Sequence, residues 1–97
     1  LALDTRSKVR EALEEAVEEV EELLAKRRWV LRELRRFGER YGMSTEEFIE
    51  AWRSARIPEP EDPELHGDFI AWEALAEELE QLEKRLLERI RVSKDKQ

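Results

Sequence analysis

Cysteine and asparagine are absent from these 97 residues, and histidine and methionine each occur once. Without thiols there is no disulfide framework, no thiolate metal site and no thiol nucleophile. Glycine and proline are nearly as scarce, three of each. The prolines are Pro58, Pro60 and Pro63, so the rest of the chain lacks the strongest helix breaker. No apolar run approaches the roughly 18 residues of a membrane span. The amino-terminal residues carry acid where a signal peptide needs an apolar core, so a cytoplasmic protein is expected. A phosphate-cradling glycine loop, a serine-nucleophile motif and a zinc pattern are all missing. His66, which the sequence places in a loop, reads as a solvated or capping residue rather than a base or ligand. Glu59, Glu61, Asp62 and Glu64 lack the spaced ligands and turn glycine of a calcium loop. No Glu-x-x-His motif accompanies the helical glutamates, which disfavours a di-iron bundle. The residues therefore give no enzyme, no metal and no cofactor.

Charge is what the chain has in excess. Charged residues are 44% of it and hydrophobic ones 40%, which predicts strongly two-sided helices. Glu and Arg supply most of that charge, a bias shared with heat-adapted proteins. The net charge of −7 opposes general adhesion to nucleic acid or to an anionic membrane.

One stretch organises the rest. Val9, Leu13, Ala16, Val20, Leu23, Arg27, Val30, Leu34, Phe37 and Tyr41 follow the alternating four- and three-residue steps of a heptad repeat. This predicts one long helix over about 5–41, with Asp4 or Thr5 as its cap and Gly42 as the left-handed residue just beyond it. Ser44 and Glu47 make a capping box, and Met43 with Phe48 a hydrophobic staple, so a short helix follows over about 45–55. Residues 56–67, holding every proline, read as an extended connector. A third helix over about 68–92, capped by Asp68, repeats the first pattern through Leu65, Phe69, Trp72, Ala76, Leu79, Glu83, Leu86 and Ile90. Residues 93–97 read as a tail.

An antiparallel register that sets Tyr41 against Phe69 also sets Phe37 against Trp72, Leu34 against Ala76 and Val30 against Leu79. Leu23 then meets Leu86, Val20 meets Ile90, and the two charged breaks, Arg27 and Glu83, face each other. The acids of Glu11–Glu22 meet the bases after Lys84, and the bases of Lys26–Arg40 meet the acids of Asp68–Glu83. Apolar layers, paired breaks and charge blocks select the same alignment, as a specified fold requires. The expectation is an all-α, coiled-coil-like antiparallel hairpin of two long helices, with the short helix over its closed end. Arg27–Glu83 reads as a register device, since desolvation offsets much of its attraction.

That register leaves Val9, Ala12, Leu13, Ala16 and Val17 with little to touch, and it turns Trp29 away from the seam. Unpartnered apolar groups mark an interface. A second copy, completing a homodimeric bundle, would cover them, and so would a different protein. Arg28, Arg32, Arg35 and Arg36 lie on the outer face with Trp29, as on an RNA-binding helix. Pairing with Glu73, Glu77 and Glu80 across the hairpin is the plainer account, so nucleic acid is not the expected partner.

The Tyr41-Gly42-Met43-Ser44 turn with Glu46, Glu47 and Phe48, followed by Trp52 and by Asp68, Phe69 and Trp72, resembles small archaeal and bacterial antitoxins of two-gene toxin–antitoxin modules. Those short charged helical proteins carry a similar turn and a later Asp-aromatic-x-x-Trp. The resemblance covers roughly residues 34–83. It implies a protein that binds a small toxin, a ribonuclease- or transferase-like enzyme, and neutralises it by direct contact.

Overall fold

The computed structural model describes residues 2–95, with side chains described for residues 4–91. Helix α1 spans Ala2–Tyr41, α2 Thr45–Arg53 and α3 Pro63–Asp95. No strand occurs among the described residues. The long helices α1 and α3 pack antiparallel, and α2 lies across the end where the chain turns. The result is a rod of 67 × 23 × 18 Å with a radius of gyration of 19.4 Å. A compact domain of this length would have about 12.5 Å.

Each turn follows from local chemistry. Gly42, at φ 66°, takes the left-handed conformation after α1, and the Met43 amide donates to the Gly38 carbonyl at 3.2 Å. This is the Schellman closure of a helix. Ser44 then starts α2 by accepting from the Glu47 amide at 3.1 Å. The α2 helix stops at Arg53, earlier than the sequence suggests, because Ala55 turns left-handed at φ 61°. The amides of Ala55 and Arg56 donate to the carbonyls of Trp52 and Ala51, closing a second Schellman motif without glycine.

The sequence places the start of α3 too late. Pro63 is its first residue and Asp62 its cap, the Asp62 carboxylate accepting from the Glu64 amide at 3.1 Å. Proline's fixed φ and missing N–H suit the first helical position, so the third proline opens a helix instead of extending the connector. His66 and Gly67 are therefore helical rather than in a loop, and Asp68 is no cap. At the other end α3 continues through the expected tail to Asp95, and α1 already begins at Ala2.

The core concentrates at the closed end. Phe48 and Trp72 are fully buried and stack face to face, with ring centroids 4.0 Å apart. Phe37 and Tyr41 stack on Trp72, and Phe69 and Trp52 close the cluster at the edges. The indole N–H of Trp72 donates to the Thr45 hydroxyl at 3.0 Å, which ties the start of α2 to α3. Away from this end the core narrows to Leu23, Val30, Leu34 and Leu82.

The seam on α3 does not keep to one heptad line. Leu82 is buried, whereas Glu83 is only half-covered and Ile90 is 63% exposed. An ideal α-helix drifts about 20° per heptad away from a 3.5-residue repeat, which carries the contact line from Leu79 onto Leu82 and Leu86. The expected Val20–Ile90 layer therefore does not close.

Candidate interaction surface

Polar contacts across the hairpin fix its register, among them Lys26 Nζ with Glu78 Oε1 at 2.8 Å. Arg27 donates from Nε and Nη2 to Glu83 Oε2 at 3.2 and 3.1 Å. Their side chains keep 36% and 45% of their exposure, so the pair lies on the rim of the seam and escapes most of the desolvation cost of a buried bridge. Arg89 pairs with Glu19 toward the open end. At the closed end Tyr41 Oη donates to Asp68 Oδ2 at 2.5 Å, and Arg40 Nη1 donates to the same oxygen at 2.8 Å. The phenol hydrogen bond, helped by the guanidinium, holds the Asp68 carboxyl below its usual range. The same bond raises the Tyr41 phenol, because ionising it would discard the shared proton, and Arg40's own hydrogen bond to the Asp68 carboxylate raises the guanidinium by stabilising its cation. The sequence showed no sign of this cluster, having given Asp68 the work of a cap.

Helix α1 outlasts its partner. Continuing the Glu19–Arg89 register puts Asp95, the last described residue of α3, level with Leu13, so among the described residues the roughly 18 Å of helix from Ala2 to Leu13 has no α3 beside it. Val9, Leu13 and Val17 are exposed along one side of this region, Leu13 at 62%. Ala12 is exposed and Ala16 half-buried. Leu24, Leu87 and Ile90 add exposed apolar surface near the same end. Spacing predicted the α1 stripe, but the α3 residues were assigned to the seam or passed over.

Trp29 stands elsewhere, 49% exposed on the outward face of α1. Around it the charge pairing departs from expectation. Glu73 and Glu77 are taken by Arg53 of α2, and Glu80 by Lys84 of its own helix. Arg36 pairs with Glu33 one turn back. Arg28, Arg32 and Arg35 have no ion-pair partner among the described residues and are exposed. Arg53 of α2 takes Glu73 and Glu77, and Lys26, one turn before Trp29, takes Glu78 of α3 at 2.8 Å. Trp29 is thus a large flat apolar group with the unpaired Arg32 one turn beyond it, and Arg28 and Arg35 further round the same helix.

No three carboxylate or imidazole groups converge as metal ligands among the described residues. His66 packs 6.5 Å from the Trp52 ring, and its buried Nε2 lies 3.5 Å from Glu59, out of line for a hydrogen bond. No described helix is long and apolar enough to cross a membrane. Comparison of the chain with family models, with curated proteins and with solved structures gives no match.

Proposed function

We propose that this is a non-enzymatic protein-binding module that grips a small partner protein through the outward face of α1, in the manner of an antitoxin. The observation that carries this reading is Trp29, half exposed, on a helix where Arg28, Arg32 and Arg35 have no acidic partner among the described residues. Tryptophan and arginine are the residues most enriched where binding energy concentrates, because each covers much surface with little conformational freedom to lose. The unpaired guanidinium groups select a partner with an acidic contact patch. The overall charge of −7 works against a polynucleotide at the same place. The likeness of the Tyr41–Phe48 turn to toxin-neutralising proteins supplies the biological role, with the partner a ribonuclease- or transferase-like toxin.

The decisive test is co-expression with the product of the adjacent gene. Wild-type protein should co-purify with that product and relieve its toxicity. Trp29→Ala should weaken capture by about 2 kcal/mol or more. Undiminished capture by a variant combining Trp29→Ala with Arg28→Ala and Arg32→Ala would sink this reading, and steeply salt-dependent binding to RNA would replace it with a nucleic-acid role.

A second reading, self-assembly into a homodimeric bundle, draws on a separate observation, the uncovered stripe Val9, Leu13 and Val17 on the overhang.

A further inference from the structure

We infer that the overhang of α1 docks antiparallel on a second copy of this chain, about a two-fold axis near Leu13, and supplies there the third helix that α2 supplies at the closed end. The inference concerns the open end alone and does not depend on the Trp29 patch.

Three features select this occupant. The first is apolar surface in the right place. Val9, Leu13 and Val17 form a self-complementary stripe, because an axis at Leu13 sets Val9 of one copy against Val17 of the other. The partner's overhang then lies beside the last turns of α3, where Leu87 and Ile90 are uncovered.

The second is charge order. The tip of α1 carries Arg6, Lys8 and Arg10, none of which has an ion-pair partner among the described residues. Immediately after them come the seven acids of Glu11–Glu22, of which only Glu19 is paired among the described residues. Antiparallel docking about Leu13 lays this basic tip against the partner's acidic block: Lys8 comes level with the partner's Glu18, while Arg6 and Arg10 fall about 1.5 and 3 Å along the axis from the partner's Glu21 and the partner's Glu14, and symmetry makes each contact twice. Parallel docking would set one acidic block against the other. A foreign partner would need its own base-then-acid order to do as well.

The third is length. Because Asp95, the last described residue of α3, lies level with Leu13, an overhang folded back from that axis covers the stretch of the other hairpin where two described helices run side by side.

The absence of cysteine makes the test clean, since any thiol introduced is the only one. An axis near Leu13 brings the two residue-13 Cα atoms to roughly the 4.4–6.8 Å spacing that a disulfide bridges. Leu13→Cys should therefore oxidise in air to a covalent dimer, and Trp29→Cys should not. Sedimentation should give a dimer, and small-angle scattering a rod of roughly 100 Å, two 67 Å hairpins sharing their overhangs. Leu13→Glu should weaken the dimer by at least roughly tenfold while keeping its helical circular dichroism. A variant carrying Arg6→Glu and Arg10→Glu should be monomeric alone and dimerise when mixed with one carrying Glu14→Lys and Glu21→Lys. A monomer at micromolar concentration, a side-by-side dimer no longer than one hairpin, or cross-linking through Trp29→Cys instead would overturn the inference. The first two of those results leave capture through Trp29 untouched, and the third would place the Trp29 face between copies.

Discussion

At the closed end three helices enclose six aromatic rings, while at the open end a single helix runs on with valine and leucine facing water. Both ends are built from the same kind of sequence, a heptad stripe on a charged helix. The difference is α2, a helix of nine residues. A two-helix seam covers only the residues on its contact line, and the residues one step to either side stay wet. A third helix laid into the groove buries both flanks at once, which is how Phe48 and Trp72 reach complete burial. Stability should therefore reside at the turn and recognition at the overhang.

Several substitutions would break or sharpen that contrast. Phe48→Ala should destabilise most, by about 3–5 kcal/mol, since it empties the centre of the aromatic stack. Val17→Ala at the open end should cost under about 0.5 kcal/mol in the monomer. Thermal melts giving equal losses would erase the distinction between the two ends. Thr45→Val keeps the shape but strands the Trp72 indole N–H, and should cost about 1–3 kcal/mol in a urea titration.

Ala55→Gly should stabilise by about 0.5–1 kcal/mol, because Ala55 holds a left-handed conformation that opposes its Cβ. A melting temperature raised by roughly 2–8 °C would register it. The Tyr41–Asp68–Arg40 cluster has a pH signature. The depressed Asp68 pKa contributes stability above the usual carboxylate range, and that contribution is lost as pH falls through the lower folded-state value. The raised Tyr41 pKa contributes below the phenol's ordinary 10.0 and is lost as pH rises through the higher folded-state value. The gap in melting temperature between wild type and Tyr41→Phe should therefore be widest near neutrality and shrink toward both extremes. A gap independent of pH would remove the proton-linked account. A small effect is expected at the rim, where Glu83→Gln should cost no more than about 1 kcal/mol. Replacing both Arg27 and Glu83 by Leu should cost no more than that, since both side chains are part-exposed and neither charge is left without its partner.

Much of the fold was legible because its cues are local. Ser44 and Gly42 act within a few residues of themselves, and the heptad steps of α1 and α3 need only the helical period. The start of α3 was misread because Pro63 was counted with its neighbours in the connector instead of with Asp62 as a cap. Glu83 and Ile90 were placed in a seam that drifts past them, a geometric effect that accumulates over several turns and that a two-letter pattern cannot register. The acids Glu73 and Glu77 were assigned to arginines of α1, since the reach of Arg53 depends on where α2 lies. That one misassignment hid the unpaired face around Trp29.

The sequence by itself determined that the chain is helical, where two of its turns lie, and which way the long helices run, since capping, periodicity and charge order are written in neighbouring residues. Only the tertiary structure decided which flank of each stripe is covered. Burial depends on a third element, and α2 is long enough to seal one end of the hairpin but not the other.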